Sequence, residues 1–335
     1  MFMNKGMMKT ILVTGALGFI GQAVCKKLAK NYRVVAFDRN ESSCFYSNCL
    51  FVKADITDDN LITQLCDTHC FDAVIHCAGI AHQKTWEVAA NSYREINSRA
   101  VEKLALAASR SNPEVYFIFL SSISVYGEEN NGDVISEESS CKPTSDYAFS
   151  KLDAENHLID LFNKGVMKKV DLLRLSPVYD RNNSFNIDKR IFAPGKLAYV
   201  LIGNGQQKMS ALARGNLVGF IQYRLNSVND QNNDSHIFCN TYNVSDKMPY
   251  TFKQIITIFY QSSYRPTRFI IRVPLFFIKV ITKCAAYVMR KRKVWFTAAY
   301  KKISLNLVFD NKKMLKIGFE PEHDLSTVFL DQPDI

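Results

Sequence analysis

The stretch Thr14-Gly15-Ala16-Leu17-Gly18-Phe19-Ile20-Gly21 limits what this chain can fold into more than any other. Before it, Lys9 to Thr14 reads as a buried strand carrying Ile11, Leu12 and Val13; after it, Ala23, Val24, Leu28 and Ala29 fall at helical spacing. A second strand, Arg33 to Phe37, ends at Asp38. The glycines let the turn tighten and the backbone approach a pyrophosphate, which the free N–H groups and dipole of the following helix N-terminus would stabilise. Asp38 lies 17 residues beyond Gly21, where an acid accepts hydrogen bonds from an adenosine ribose. Strand, turn, helix, strand and acid in this order predict a dinucleotide-binding βαβ unit, with Gly15, Gly18, Phe19, Ile20 and Gly21 around the cofactor. The Asp38 carboxylate would repel a 2′-phosphate and favours NAD, while the adjacent Arg39 could accommodate that phosphate and leaves NADP open.

The pattern continues. Leu50 to Ala54 delivers Asp55-Ile56, Phe71 to His76 runs into Cys77-Ala78-Gly79, and Val115 to Leu120 opens onto Ser121-Ser122-Ile123-Ser124-Val125-Tyr126-Gly127. Strands alternating with helices predict an α/β fold, a doubly wound parallel sheet whose strand C-termini form the ligand crevice. Asp55 and Ile56 are then placed to meet the adenine, and the small Ala78-Gly79 pair lets cofactor pass close to the backbone. Helical periodicity from Ala89 through Ala108 has Asn97 at its middle. The sheet domain is expected over 8–178, with 215–245 returning to it, and a smaller substrate-binding lobe over 179–214 and 246–335.

In Asp146-Tyr147-Ala148-Phe149-Ser150-Lys151, helical spacing sets Tyr147 and Lys151 one turn apart on one face. A phenol titrates near ~10, and an ammonium beside it is expected to lower that value, so that Tyr147 could exchange a proton with a substrate hydroxyl. Tyr287 and Lys291 repeat the spacing without a comparable setting.

With 335 residues, 47% of them hydrophobic, the chain can bury a large core. A net charge of +10 favours acidic partners, but no Lys/Arg run is interleaved with stacking aromatics as a nucleic-acid groove would need. Nine scattered cysteines without a Cys-x-x-Cys pair argue against disulfides and zinc and for a reducing cytoplasm; the histidines show no metal-ligand spacing. No apolar signal-peptide core precedes the first strand. Pro274 to Met289 is apolar, yet its 16 residues are too few to span a bilayer, and Arg290-Lys291-Arg292-Lys293 follows at once. A helix packed in the lobe with a solvated charge run is the expectation here, ahead of a helix resting on anionic membrane.

Thr14-Gly15-x-x-Gly18-Phe19-Ile20-Gly21, Asp55-Ile56, Ser-Ser-x-x-Val-Tyr-Gly and Tyr147-x-x-x-Lys151 resemble, in order and spacing, the extended short-chain dehydrogenase/reductases, and within them the nucleotide-sugar epimerase/dehydratase family. The resemblance implies a homodimeric NAD(P)-dependent enzyme in which Ser122 hydrogen-bonds the reacting hydroxyl, Tyr147 is the acid/base and Lys151 holds the nicotinamide ribose. It also implies that Asn97 supports the cofactor side. The 4,6-dehydratases of this family follow that serine or threonine with an Asp-Glu pair; here Ile123-Ser124 stand instead, so dehydration is not expected. His76-Cys77-Ala78-Gly79-Ile80-Ala81-His82 looks like a stretch of a subgroup acting on UDP-2-acetamido-sugars in surface-polysaccharide pathways, as 4-epimerases or 4-keto-reductases. His82 then faces substrate or is a hydrogen-bonded loop histidine, and Ser124 stands beside the reacting centre. Asn186 matches an asparagine that binds the nucleotide diphosphate. Met209 takes the place of an arginine that grips substrate phosphate, which leaves Lys208 or Arg214 for that task, and Asp180 replaces a glycine. A simple UDP-glucose/galactose 4-epimerase and a catalytically inactive NAD(P)-sensing protein are the alternatives.

Overall fold

The structure, a computed structural model, describes residues 8–42, 46–81, 90–127, 133–229, 237–265, 267–289, 300 and 304–330. The first half alternates β1 (Thr10–Thr14), α1 (Gly21–Leu28), β2 (Arg33–Asp38), β3 (Cys49–Lys53), α2 (Asp59–His69) and β4 (Ala73–His76). It goes on through α3 (Ala90–Arg94), α4 (Ala100–Ser111), β5 (Tyr116–Ser122), α5 (Asp146–Asn163) and β6 (Lys169–Leu175). The chain then makes β7 (Val178–Tyr179), α6 (Phe185–Ile191), β8 (Ala198–Ile202), β9 (Lys208–Met209) and β10 (Leu212–Ala213), before α7 (Arg214–Asn229) leads to β11 (Phe238–Val244). After it come β12 (Tyr250–Thr251), α8 (Phe252–Gln261), β13 (Phe269–Val273) and α9 (Leu275–Val288).

Seven strands form one sheet in the order β11-β6-β5-β4-β1-β2-β3, with β1–β2, β2–β3, β1–β4 and β4–β5 parallel. Strand order reverses between β1 and β4, where Thr14 and His76 are register partners, so the C-terminal ends of these two strands flank the topological switch point. The expected doubly wound α/β fold is what the chain adopts. β1, β2, β4 and β5 are almost continuous apolar runs because helices cover both faces of such a sheet. Leu12, Val35, Phe37, Val74, Phe117, Leu104 and Leu158 meet in its core.

By compactness the chain divides into two units, one of Met1–Val125, Pro143–Arg174 and Phe220–Tyr242, the other of Tyr126–Lys142, Leu175–Gly219 and Asn243–Ile335. The second has its own core around Tyr179, Ile187, Met209, Phe252 and Ile255. Residues 126–142, assigned by sequence to the sheet domain, belong to the second unit. Ile135 N–H donates to Val308 O (3.0 Å), Asp310 N–H to Ile135 O (2.7 Å) and Tyr126 Oη to Asn243 Oδ1 (2.7 Å). These partners lie more than a hundred residues away in sequence, beyond the reach of local patterning.

Two further expectations change. The helix expected across 89–108 is interrupted by a π-helical turn, Glu95–Arg99, between α3 and α4. The apolar segment after Pro274 is indeed a helix, but it is covered on one side only: Leu275, Ile278 and Thr282 are partly buried, and no α9 side chain whose burial is described is fully buried. No helix among the described residues is long and apolar enough to cross a membrane.

Candidate active site

Gly15 ends β1 at φ +63°, in the left-handed region open to glycine, and a Cβ there would stand 2.7 Å from the Ala78 backbone. A Cβ on Gly21 would stand 2.1 Å from Gly15 O. The turn therefore closes onto itself and onto the loop after β4 with no room for side chains. Gly18 N–H donates to Gly15 O (3.0 Å) and Gln22 N–H to Gly18 O (3.1 Å), and the N-terminus of α1 carries no side-chain cap. Phe19 and Ile20, in the turn, are half-buried. The buried Asp38 is fixed in place: Leu17 N–H donates to Oδ2 and Asn40 N–H to Oδ1, both at 3.0 Å. Arg39 beside it is exposed. Asp55, at the end of β3, accepts from Thr57 N (2.9 Å) and Thr57 Oγ1 (2.7 Å); these bonds, with a smaller contribution from Arg39, hold its carboxyl below the usual range. Ile56 is buried beside it. The tight glycine turn, uncapped helix and oriented carboxylate fit a dinucleotide.

The end of β4 is locked from beneath. Thr14 Oγ1 accepts from Ala78 N–H (3.2 Å) and meets His76 Nδ1 at 3.0 Å. Burial, with Lys151 nearby, pushes the His76 imidazole down to about 3, so it stays neutral. The fully buried Asn97 reaches up from the π-helical turn: its Oδ1 accepts from Ile80 N–H (2.8 Å), and its Nδ2 donates to Ile80 O (3.0 Å) and Ser150 Oγ (3.1 Å). It ties the β4 loop to α5. A Cβ on Gly79 would stand 2.9 Å from Asn97 Oδ1 and 3.5 Å from Lys151 Nζ, so Gly79 is a bare stretch of backbone over that lysine.

Helix α5 is capped by Ser145, whose Oγ accepts from Ala148 N–H, and it does place Tyr147 and Lys151 one turn apart. Ser122 ends β5 and is hydrogen-bonded to the Tyr147 phenol; both side chains are half-buried and reachable. The polarity of that bond follows from Ser124, whose N–H (3.2 Å) and Oγ–H (3.0 Å) both point at Ser122 Oγ. With both acceptor directions occupied, Ser122 turns its own proton toward Tyr147.

The electrostatics depart from expectation. Burial raises the Tyr147 phenol, and the Ser122 hydrogen bond only partly offsets this. Lys151 does not supply the expected lowering. Its Nζ donates to Leu120 O (2.9 Å) and stands over the Phe119 ring, and burial brings it down to about 8. One turn on, the fully buried Glu155 accepts from Ser121 Oγ and is forked by Arg174, with Nη2 to Oε2 at 2.6 Å. This support was missed in the sequence, although a glutamate at the next i+4 step after Tyr147 and Lys151 was its signal.

His82 lies outside the described residues, as do Lys291 and the basic run beyond Met289. In the second unit, Asn186 stands half-buried in the first turn of α6. Lys208 is exposed on β9, whereas Met209 next to it is 0% exposed and part of the core, so that position binds no phosphate. Arg214 Nη2 pairs with Asp180 Oδ2 at 2.7 Å. Asp180 needs no glycine conformation; its Oδ1 accepts from Asn182 and Asn183 N–H groups. Asp246, which no local sequence pattern singles out, accepts from Ala213 N, Asn216 Nδ2, Tyr179 Oη and Tyr250 Oη at 2.7–2.8 Å, and burial raises it to about 6. No cluster of metal-ligating side chains occurs among the described residues, and the described cysteines are free.

The sequence profile of the NAD dependent epimerase/dehydratase family matches residues 11–233. The N-acetyl-α-D-glucosaminyl-diphospho-ditrans,octacis-undecaprenol 4-epimerase of Escherichia coli O157:H7 is 28% identical over 223 residues, 65% of this chain and 63% of that protein. The match thus spans a little under two thirds of that relative. The UDP-glucose 4-epimerase of Vibrio cholerae is 32% identical over 226 residues, 65% of this chain and 67% of that one. Among solved structures, the UDP-glucuronic acid 4-epimerase of Bacillus cereus in complex with NAD superposes with a TM-score of 0.69 over 96% of both chains at 20% identity, a likeness of fold.

Proposed function

Because the chain belongs to the NAD-dependent epimerase/dehydratase family, we propose that it performs redox at a single ring carbon, C4, of a nucleotide-linked sugar, with NAD as cofactor. The hydrogen-bonded Ser122–Tyr147 pair, with Lys151 one turn below it and the glycine turn at the neighbouring strand ends, carries this reading. NAD, held by Gly15, Gly18, Gly21, Asp38 and Asp55, would supply the hydride acceptor or donor. The chain's own residues handle the proton on oxygen. Ser124 holds Ser122 with its proton outward, Ser122 orients the substrate oxygen, and Tyr147 gives or takes that oxygen's proton. A phenol kept neutral by burial is set to donate to a carbonyl oxygen, the direction of keto reduction. Abstraction in the reverse direction requires its pKa to fall on binding. Lys151, brought down to about 8, can exchange a proton near neutral pH.

A UDP-2-acetamido-hexose, used for surface polysaccharide, is the substrate class we favour, and 4-epimerase or 4-keto-reductase the activity. The His76 to Ala81 stretch and the N-acetylglucosaminyl substrate in the name of the Escherichia coli relative support it. Ile123-Ser124 in place of Asp-Glu speaks against elimination of water. Of the two cations considered for the substrate diphosphate, Arg214 is offset by Asp180 and Lys208 is exposed, so Lys208 is the proposed grip, with Asn186. A UDP-glucose/galactose 4-epimerase is the second reading, favoured by the match to the Vibrio cholerae enzyme.

The test is to identify the nucleotide released from purified protein and to follow UDP-N-acetylglucosamine, its 4-keto-6-deoxy derivative and UDP-glucose by NMR, with and without NADH. Epimerisation proceeds without added cofactor; keto reduction consumes NADH stoichiometrically. Protein that neither retains nor binds NAD(P)(H) would sink the proposal.

A further inference from the structure

Residues 247–309 contain 13 Lys and Arg and no Asp or Glu. The chain has 42 basic and 32 acidic residues, so the rest of it holds 29 against 32, a net charge of −3. The entire positive balance of the molecule sits in one segment.

Two elements of that segment, β13 and α9, turn apolar side chains outward. On β13, Phe269 is 80% exposed, and Ile270 and Ile271 are exposed beside it. On α9, Phe276, Val280, Cys284 and Tyr287 recur at three- and four-residue steps with Phe277 and Ile281 alongside, and all are exposed, Phe276 at 70%. Leu275, Ile278 and Thr282, on the opposite side, are partly covered. Lys279 and Lys283 border the exposed stripe, and Arg268 and Arg272 flank and interrupt the exposed strand. A helix with its broad apolar stripe toward water and lysines along the stripe's edge is inverted relative to one packed on a soluble core. Contiguous apolar patches of this kind mark docking surfaces.

We propose that β13 and α9 form a docking face that seats the protein on an anionic lipid surface, the apolar side chains entering the headgroup boundary and the lysines and arginines meeting lipid phosphates. Charge decides the occupant. A second copy, placed symmetrically, would bring this carboxylate-free segment against its own like charge. An anionic bilayer complements it, and the aliphatic stems of Lys279 and Lys283 suit the boundary. At 14 residues α9 extends about 21 Å, short of the ~30 Å hydrocarbon core, so it lies on the membrane and does not cross it.

The test is co-sedimentation of the full chain with phosphatidylcholine vesicles, with and without one third phosphatidylglycerol, beside the exposed-face variant Phe276→Asp/Ile281→Asp. The wild type is expected to pellet with the anionic vesicles, stay in solution with the neutral ones, and release as salt rises. The variant is expected to bind at least roughly tenfold more weakly, with unchanged circular dichroism and NAD binding. Wild type that ignores anionic vesicles, or a variant that binds them equally, overturns the proposal. So does light scattering in which the variant splits a dimer while its lipid binding is unaltered, since a second copy would then cover the face. Every readout is physical binding, so the outcome does not depend on the catalytic reading.

Discussion

At the scale of single residues, the chemistry rests on where protons point. Tyr147→Phe removes the proposed proton donor and keeps the shape; turnover should fall by about 10²–10⁴-fold, with NAD binding by calorimetry retained. Unchanged turnover would refute the role. Ser124→Ala removes one of the two donors that set Ser122's polarity. A net hydrogen bond of this kind is worth ~0.5–1.5 kcal/mol, so kcat should drop roughly three- to tenfold with NAD affinity unchanged. Lys151 pays for its position in stability. Below pH 8 the lysine is charged both folded and unfolded, and the burial cost is fully present. Between about 8 and the ordinary 10.5 the folded protein has released a proton that the unfolded chain still holds, so stability rises with pH. Lys151→Met should therefore be inactive yet more stable than wild type at pH 7. The gain is up to about 3 kcal/mol from that shift, less about 1 for the orphaned Leu120 carbonyl. Urea unfolding at pH 7 and pH 10 checks this, since the variant's lead should shrink at the higher pH. The Tyr-Lys spacing was legible in sequence. Its electrostatics were not, because desolvation depends on which atoms close around each group.

At the scale of elements, strands and helices of the sheet unit followed from apolar runs and periodicity, since a sheet covered on both faces demands them. The π-helical turn that aims Asn97 was hidden, because one added residue in a helix leaves the apolar pattern on either side intact. The glycine turn makes the strongest element-level demand. Gly21→Ala places a Cβ 2.1 Å from Gly15 O, and a backbone oxygen cannot swing aside. The turn must open, at a cost of about 1–3 kcal/mol. Calorimetry with NAD should show binding lost or greatly weakened, alongside a lower melting temperature.

At the scale of the whole molecule, the return of the chain after the second unit is held by charge as well as by packing. Arg224 on α7 donates Nε–H to Asp171 Oδ2 (2.6 Å), and the Tyr116 hydroxyl donates to the same oxygen; both ionic groups are buried. Burial raises Asp171, and Arg224 is the main influence holding it down. Arg224→Met leaves a buried carboxylate unpaired and should cost about 3–5 kcal/mol in urea unfolding at pH 7. The loss should be smaller at acid pH, because burial raises Asp171 and protonation removes the charge left unpaired. Adding Asp171→Asn should recover part of it.

Legible in the sequence alone were the fold class, the glycine turn and the one-turn spacing of Tyr147 and Lys151, because apolar runs, glycine positions and an i+4 step are each local to one strand, turn or helix; Ser122, on a different element, entered only through the family resemblance. Tertiary structure decided the rest: the transfer of 126–142 to the second unit, the burial of Met209, the pairing of Arg214 with Asp180, the Asp246 cluster and the exposure of α9. Each depends on partners distant in the chain, and no local pattern records which side chain will meet a buried neighbour, an opposite charge or water.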